Sequence, residues 1–100
     1  DVIKMPDVLT LSAMKAFALG KRAKWKDYVD LFFILKIHGI GEVVNEAKSI
    51  FGSEFNEKLF REQLSYFNDI DYTEKIDYIG ENYVSDDEIK RFLSDTSLQV

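Results

Sequence analysis

The sequence predicts an all-α protein, a helical bundle of about five helices, and two observations support this fold class. Apolar residues recur three or four positions apart along most of the chain, which is the spacing of one helix face. Residues with high strand propensity are scattered, and no hairpin turn pairs them. One hundred residues, 46% of them apolar, are enough for a single domain with a core.

The first part of the chain contains a candidate strand and then a helix. Residues 2–5 are compatible with a short strand that ends at Pro6, because a proline disfavours helix in the residue before it. Asp7 is a candidate N-cap, and the apolar spacing predicts a first helix over residues 9–19 that stops near Gly20.

Four more helices are predicted after Gly20. The second runs over residues 24–38 and closes on Gly39, which would adopt the left-handed conformation that ends many helices. The third covers residues 41–51. Asn56 caps the fourth helix, and a capping box that begins at Ser85 opens the fifth. The segment between these last two helices is predicted to lie across the bundle.

Composition and charge narrow the classes of function. The absence of cysteine excludes disulfides, thiolate nucleophiles and zinc fingers. No apolar run is long enough for a membrane span, and we interpret the chain as cytoplasmic. The net charge of −5 is uneven, since residues 1–50 carry +2 and residues 51–100 carry −7. The acidic half argues against a generic nucleic-acid binder but leaves a local basic patch over residues 21–26 open.

Most sequence motifs of catalytic, metal-binding or nucleotide-binding sites are absent or weak. The sequence has no Gly-rich phosphate loop, no HExxH and no EF-hand loop. Asp69 and Asp71 are spaced like paired Mg²⁺ ligands, but aspartates are common in turns, and a structural role is favoured. The tyrosines of the second half are spaced too irregularly for a base-stacking platform and are predicted to lie in the core or at its rim. These are Tyr66, Tyr72, Tyr78 and Tyr83.

One constellation remains as a candidate site. Asp27 and Asp30 lie three positions apart at the start of the second helix and therefore share a face, and Lys15 stands among apolar residues of the first helix. Because residues 20–23 form a short connection, the two helices must be close neighbours. We therefore expect the Lys15 ammonium and the Asp30 carboxylate to lie about 4–8 Å apart, near enough for strong Coulomb coupling.

Spacing alone leaves two interpretations of this constellation open. In the structural one, Lys15 lays its stem over the bundle, and the two acids complement the helix dipole and bond to nearby Lys or Arg. In the functional one, Lys15 is a point charge on a polyphosphate, and the acids orient the attacking group or touch a metal ion.

Three short motifs around these residues are similar to a known family. They are Met14-Lys15-Ala16-Phe17-Ala18-Leu19, Lys21-Arg22 and Lys26-Asp27-Tyr28-Val29-Asp30-Leu31. Together they resemble the C-terminal signature of the AbiEii-type nucleotidyltransferases, which are the toxins of abortive-infection and toxin–antitoxin pairs on the polymerase β-like nucleotidyltransferase fold. Phe51-Gly52 and Leu64-Ser65-Tyr66-Phe67-Asn68-Asp69 also resemble the helical tail of that family, and the likeness extends over most of the chain.

The resemblance implies roles for individual residues. Lys15 and Asp30 would belong to the active site, with Asp27 as the third catalytic candidate. Lys15 would neutralise phosphate charge, and Asp30 would position or deprotonate the acceptor or complete a metal shell. Asp27 would hold Lys or Arg side chains in place. The predicted nucleotide- and phosphate-binding residues are Lys15, Lys21, Arg22 and Lys24.

The same resemblance implies a Mg²⁺-dependent enzyme that transfers a nucleotide from an NTP to RNA, tRNA being one candidate acceptor. The Gly-Ser turn and the paired acids that would hold Mg²⁺ and NTP are missing from this sequence. The chain is therefore expected to be the C-terminal helical part of a larger enzyme, to contain no metal ligands, and to be inactive and bind no cofactor by itself. A cognate antitoxin or a second copy is a further expected partner, and the alternative function is a helical protein-interaction module without a catalytic role.

Overall fold

The computed structural model describes residues 8–68, 70–72 and 84–99, and over these residues the chain is all-α, which confirms the predicted fold class. The elements are α1 (Val8–Leu19), α2 (Trp25–Ile37), α3 (Ile40–Phe51), a 3₁₀ turn (Gly52–Glu54), α4 (Glu57–Leu64) and α5 (Asp86–Ser97). In the described part of the chain, no helix has both the length and the apolar composition needed to cross a membrane.

Two helices begin at the polar caps that the sequence predicts. The Asn56 side-chain oxygen accepts a hydrogen bond from the backbone N–H of Leu59 at 3.0 Å. The Ser85 hydroxyl oxygen accepts one from the N–H of Glu88 at 3.2 Å. Each cap satisfies a backbone donor that the first helical turn leaves without a partner, so both predictions are confirmed.

The glycine that was predicted to end α2 has a different role. Gly39 has a φ of −64° and is the N-cap of α3, so the predicted left-handed terminator is wrong. α2 ends instead at Ile37, and the C-cap residue His38 is extended with a φ of −111° and donates its N–H to the carbonyl of Ile34. Only these two residues separate α2 from α3, and both stay extended to lead the chain into the next helix. A positive φ occurs after α3, at Gly52, where it is +60°.

The core is built around α2, which is buried on most sides. Its buried residues are Trp25, Asp27, Tyr28, Val29, Leu31, Phe32, Ile34 and Leu35. Ile37, at its end, is exposed instead of buried. α1 packs along α3 in the same direction, because Thr10 donates to Glu46 near one end and the ring of Phe17 stacks on Phe51 at 4.1 Å near the other.

Residues 70–72 pack on the first turn of α2. The N–H of Asp71 donates to the carbonyl of Ala23 at 2.7 Å, and the N–H of Trp25 donates to the carbonyl of Asp71 at 2.9 Å. This pair of bonds forms an isolated parallel bridge between Lys24 and Asp71. The strand candidate at residues 2–5 and the cap candidate Asp7 lie outside the described residues, as do three side chains considered above. Those three are Asp69, Tyr78 and Tyr83.

A three-residue ion network joins α3 to α4. Glu57 accepts from the ammonium of Lys48 and from Nε of Arg61, each at 2.9 Å. These hydrogen bonds, that from Lys48 first and that from Arg61 second, lower the pKa of the Glu57 carboxyl. Arg61 also donates through Nη1 to the carbonyls of Ser97 and Gln99, and so ties α4 to the end of α5.

We expect Glu57→Gln to lower the free energy of unfolding at pH 7 by about 0.5–1 kcal/mol, the range of a partly exposed ion pair. Since the pKa of Glu57 is lower in the folded than in the unfolded protein, this stabilisation is present above the unfolded pKa and is lost as pH falls through the folded pKa. Urea unfolding of both proteins from pH 7 downward should show the difference vanish. Glu62→Gln, on the exposed side of α4, is the matched control. A pH-independent difference would contradict the prediction.

Candidate functional site

The Lys15 ammonium lies between the two predicted carboxylates. It is 3.1 Å from Oδ1 of Asp27 and 2.8 Å from Oδ2 of Asp30. Lys15 is on α1, and both acids are on the first two turns of α2, so the site forms where the two helices meet. The predicted convergence is confirmed, and the groups are in direct contact, closer than the expected 4–8 Å.

Asp27 is the buried member of the cluster. Its side chain is only 4% exposed, and its second oxygen, Oδ2, accepts from Nε of Arg22 at 3.2 Å. Burial of an ionised carboxylate costs several kcal/mol unless charged hydrogen-bond partners compensate, and here each oxygen has a cationic partner. The expectation that Asp27 holds Lys or Arg side chains in place agrees with this geometry.

Both carboxylates act on the charge state of Lys15. Burial by itself would lower the pKa of the ammonium, but the hydrogen bonds to Asp30 and to Asp27 and their negative charges outweigh it. The net effect raises the pKa of Lys15 above its usual 10.5. Lys15 therefore stays cationic at neutral pH. It can donate a charge-assisted hydrogen bond to an anionic ligand, but it cannot serve as a general base.

Asp30 differs from Asp27 in its access to solvent. Its side chain is 36% exposed, and Lys15 is its ion-pair partner among the described residues. The contact engages Oδ2, so the carboxylate retains acceptor capacity for a ligand. Of the two acids, Asp30 is thus the one that a substrate can contact without disturbing the ion pairs of a buried carboxylate.

The other predicted phosphate-binding residues differ in how they relate to the pair of Lys15 and Asp30. Arg22 is exposed and joins the cluster through Asp27. The Lys21 ammonium instead lies 4.8 Å from the centre of the Phe17 ring, a cation–π geometry on another side of α1. Lys24 is the N-cap of α2 and takes part in the bridge to Asp71.

The sequence reasoning missed the approach of residues 70–72 to this site. Asp71 was considered only as half of a metal-binding pair, yet its backbone fixes Ala23 and Trp25, which flank Lys24. The contact joins positions more than forty residues apart, and no motif or periodicity in the sequence signals it. Tyr72 follows directly and places its ring centre 5.4 Å from that of Trp25.

The described residues do not by themselves fit a Mg²⁺ site. They contain no group of three or more His, Cys, Asp or Glu side chains placed to hold a metal ion. Asp27 and Asp30 are close to each other, but the Lys15 ammonium occupies the position between them. A metal ion would have to displace that cation and would need further oxygen ligands to complete its shell.

Comparison with known proteins gives no match to a family model, to a curated protein or to a solved structure. The likeness to the AbiEii-type enzymes therefore depends on the sequence motifs alone, both those around Lys15 and Asp30 and those of the helical tail.

We expect Asp27→Asn to destabilise the fold by about 2–4 kcal/mol, because Lys15 and Arg22 would then face a neutral amide at a buried position. Asp30→Asn is the matched control on the same helix face, and its cost should stay below about 1 kcal/mol since that pair is partly exposed. Urea unfolding of the two variants beside the wild type measures both values. Equal costs for the two substitutions would contradict the assignment of Asp27 as the buried anchor.

Proposed function

We propose that this chain is the C-terminal helical domain of an AbiEii-like nucleotidyltransferase, a toxin-type enzyme that transfers a nucleotide from an NTP to an RNA acceptor. The observation that supports the proposal most is the 2.8 Å contact between Lys15 and Asp30. The resemblance assigns these two residues, fifteen positions apart, to one active site.

The charge of the segment suits a phosphate-bearing substrate. Residues 15–30 contain five Lys or Arg and two Asp, a formal net charge of +3 within a chain of −5. The Lys15 ammonium has three N–H donors, and its contacts with Asp27 and Asp30 leave one for a phosphate oxygen. Arg22 contacts Asp27 through Nε, and its outer guanidinium nitrogens can extend the binding site.

Asp30 would act on the acceptor. A carboxylate held by Lys15 has a fixed orientation, and its remaining lone pairs can accept a hydrogen bond from the attacking hydroxyl. Such an arrangement accelerates phosphoryl transfer by positioning and electrostatics, without a covalent intermediate. Asp27 would be a positioning residue that acts through Lys15 and Arg22.

The metal-dependent part of the reaction is assigned to the remainder of the enzyme. The paired acids that would hold Mg²⁺ are absent from this sequence, and the described residues do not form a substitute site. Within this chain, the proposed roles are therefore limited to contacts with phosphate and with the acceptor.

One observation favours the alternative, a helical interaction module. α1 contains a single charged residue, Lys15, and exposes Val8, Leu11 and Met14 to solvent. A helix that is apolar on all sides is usually covered, so α1 is suited to contact another protein surface. In this alternative the cluster of Lys15, Asp27 and Asp30 only stabilises the fold.

We expect Asp30→Asn, in the enzyme that contains both the metal-binding half and this chain, to reduce nucleotide transfer a hundredfold or more, about 3 kcal/mol of transition-state stabilisation. Stability should change little, because Asn is nearly isosteric and the site is partly exposed. Lys15→Ala should reduce both the rate and the affinity for NTP, since Lys15 would contact phosphate in the ground state and in the transition state.

Rate and melting temperature are measured on the same preparations of each variant. Full transfer activity per folded molecule in a destabilised Asp30→Asn variant would reject the catalytic role and favour the interaction module.

The 100-residue chain alone should show no nucleotide transfer and should bind NTP only weakly, at about millimolar concentrations, since it offers cations but no paired metal-binding acids. Calorimetry with each of the four NTPs, with and without Mg²⁺, measures this affinity. Micromolar binding would mean that the nucleotide site lies within this chain and that its division between two halves is wrong.

A further inference from the structure

An exposed aromatic ring lies beside the basic turn that connects α1 to α2. Tyr72 is 45% exposed, and the backbone bonds of Asp71 to Ala23 and Trp25 hold it against the start of α2. Its ring centre is 5.4 Å from that of Trp25, which is almost fully buried and supports it from behind. Tyr72 is therefore a fixed ring with an open portion.

Two lysines lie close to this ring. Lys24, at the end of the basic turn, forms the backbone bridge with Asp71, the residue before Tyr72. Lys90, on α5, places its ammonium 5.8 Å from the centre of the Tyr72 ring. The same ammonium lies 5.7 Å from the Trp25 ring and 5.6 Å from the Phe67 ring, and no carboxylate contacts it among the described residues. Within the described part of the chain, its positive charge is thus not neutralised by an ion pair.

We propose that Tyr72, the basic turn and Lys90 form a binding surface for single-stranded nucleic acid. One base would stack on the exposed part of Tyr72, while Lys24 and Lys90 would contact the phosphates on either side of it. Fixed aromatic rings between cations are how proteins bind single strands with little sequence preference. A double helix fits poorly, because its bases are already stacked and paired.

Acidic residues near Lys90 limit the size of this surface. Asp86, Asp87 and Glu88 lie on the first turn of α5, just before Lys90, and would repel a strand that continued in that direction. We therefore expect a short binding site of a few nucleotides, with an affinity that falls steeply as salt increases.

This surface rests on the proposed function for its biological role, since it would hold the RNA acceptor of the proposed transfer. Binding itself does not depend on that function and can be measured without NTP. An active Asp30→Asn enzyme together with intact strand binding would reject the proposed function and retain the surface.

The test is fluorescence anisotropy of a labelled RNA strand of about eight nucleotides, titrated with the full chain at about 50 mM salt. We expect Tyr72→Ala to weaken binding about tenfold, the usual effect of losing one stacked base, and Tyr72→Phe to retain it. Tyr66→Ala is the matched control, because Tyr66 is 42% exposed and lies before residues 70–72, which pack on α2. Its affinity should stay within twofold of the wild type.

The contributions of base and phosphate are then separated. Lys24→Gln and Lys90→Gln should each weaken binding and reduce its salt dependence, whereas Lys58→Gln, exposed on α4, should change neither. An abasic strand of equal length should bind more weakly than the normal strand. Trp25, the single tryptophan, gives a second signal, since its fluorescence should change when a base stacks on the adjacent Tyr72.

Three outcomes would overturn the proposal. They are no binding by the wild type at low salt, equal losses for Tyr66→Ala and Tyr72→Ala, and equal affinity for abasic and normal strands. Circular dichroism of each variant shows that it is folded. Should Tyr72→Ala fail to fold, the abasic strand and Tyr72→Phe still decide the role of stacking.

Discussion

The buried carboxylate of Asp27 is the constraint on which this arrangement depends. It lies at the start of the most buried helix and would be strongly unfavourable there without compensation. Lys15 supplies one cation from α1, and Arg22 supplies the other from the connecting turn. These two contacts fix the position of α1, the conformation of the turn and the entrance of α2 at once. The orientation of Asp30, one turn further along α2, follows from them.

Features that depend on neighbouring residues could be predicted from the sequence. The five helices and the caps at Asn56 and Ser85 need only local periodicity and one side chain that reaches its own helix. The meeting of Lys15 with Asp27 was predictable for a similar reason, since a short connection forces the two helices together. Gly39 shows the limit of local rules, because the immediate start of α3 determined its conformation.

Features that depend on distant residues could not be predicted in this way. The bridge between Lys24 and Asp71 and the contact of Tyr72 with Trp25 join segments that are more than forty positions apart. Irregular spacing argued against a stacking role for the tyrosines, but spacing along the chain has no bearing on a ring that docks on another element. A function of Lys15 and Asp30 likewise cannot be assigned from local sequence rules, because an ion pair that stabilises a fold and one that serves catalysis have the same sequence pattern.

The two aspartates differ in what they would lose if Lys15 moved. Asp27 has Arg22 as a second cation and would remain paired, whereas Asp30 has Lys15 alone among the described residues. In the proposed function, the third N–H of Lys15 would bind a phosphate while Asp27 stays neutralised by Arg22. Asp30, still held through Oδ2 by Lys15, would use its remaining lone pairs to accept a hydrogen bond from the acceptor while the phosphate is in place. The buried pair with Arg22 thus allows Lys15 to be shared with a substrate without loss of the fold, which a single ion pair at this position would not allow.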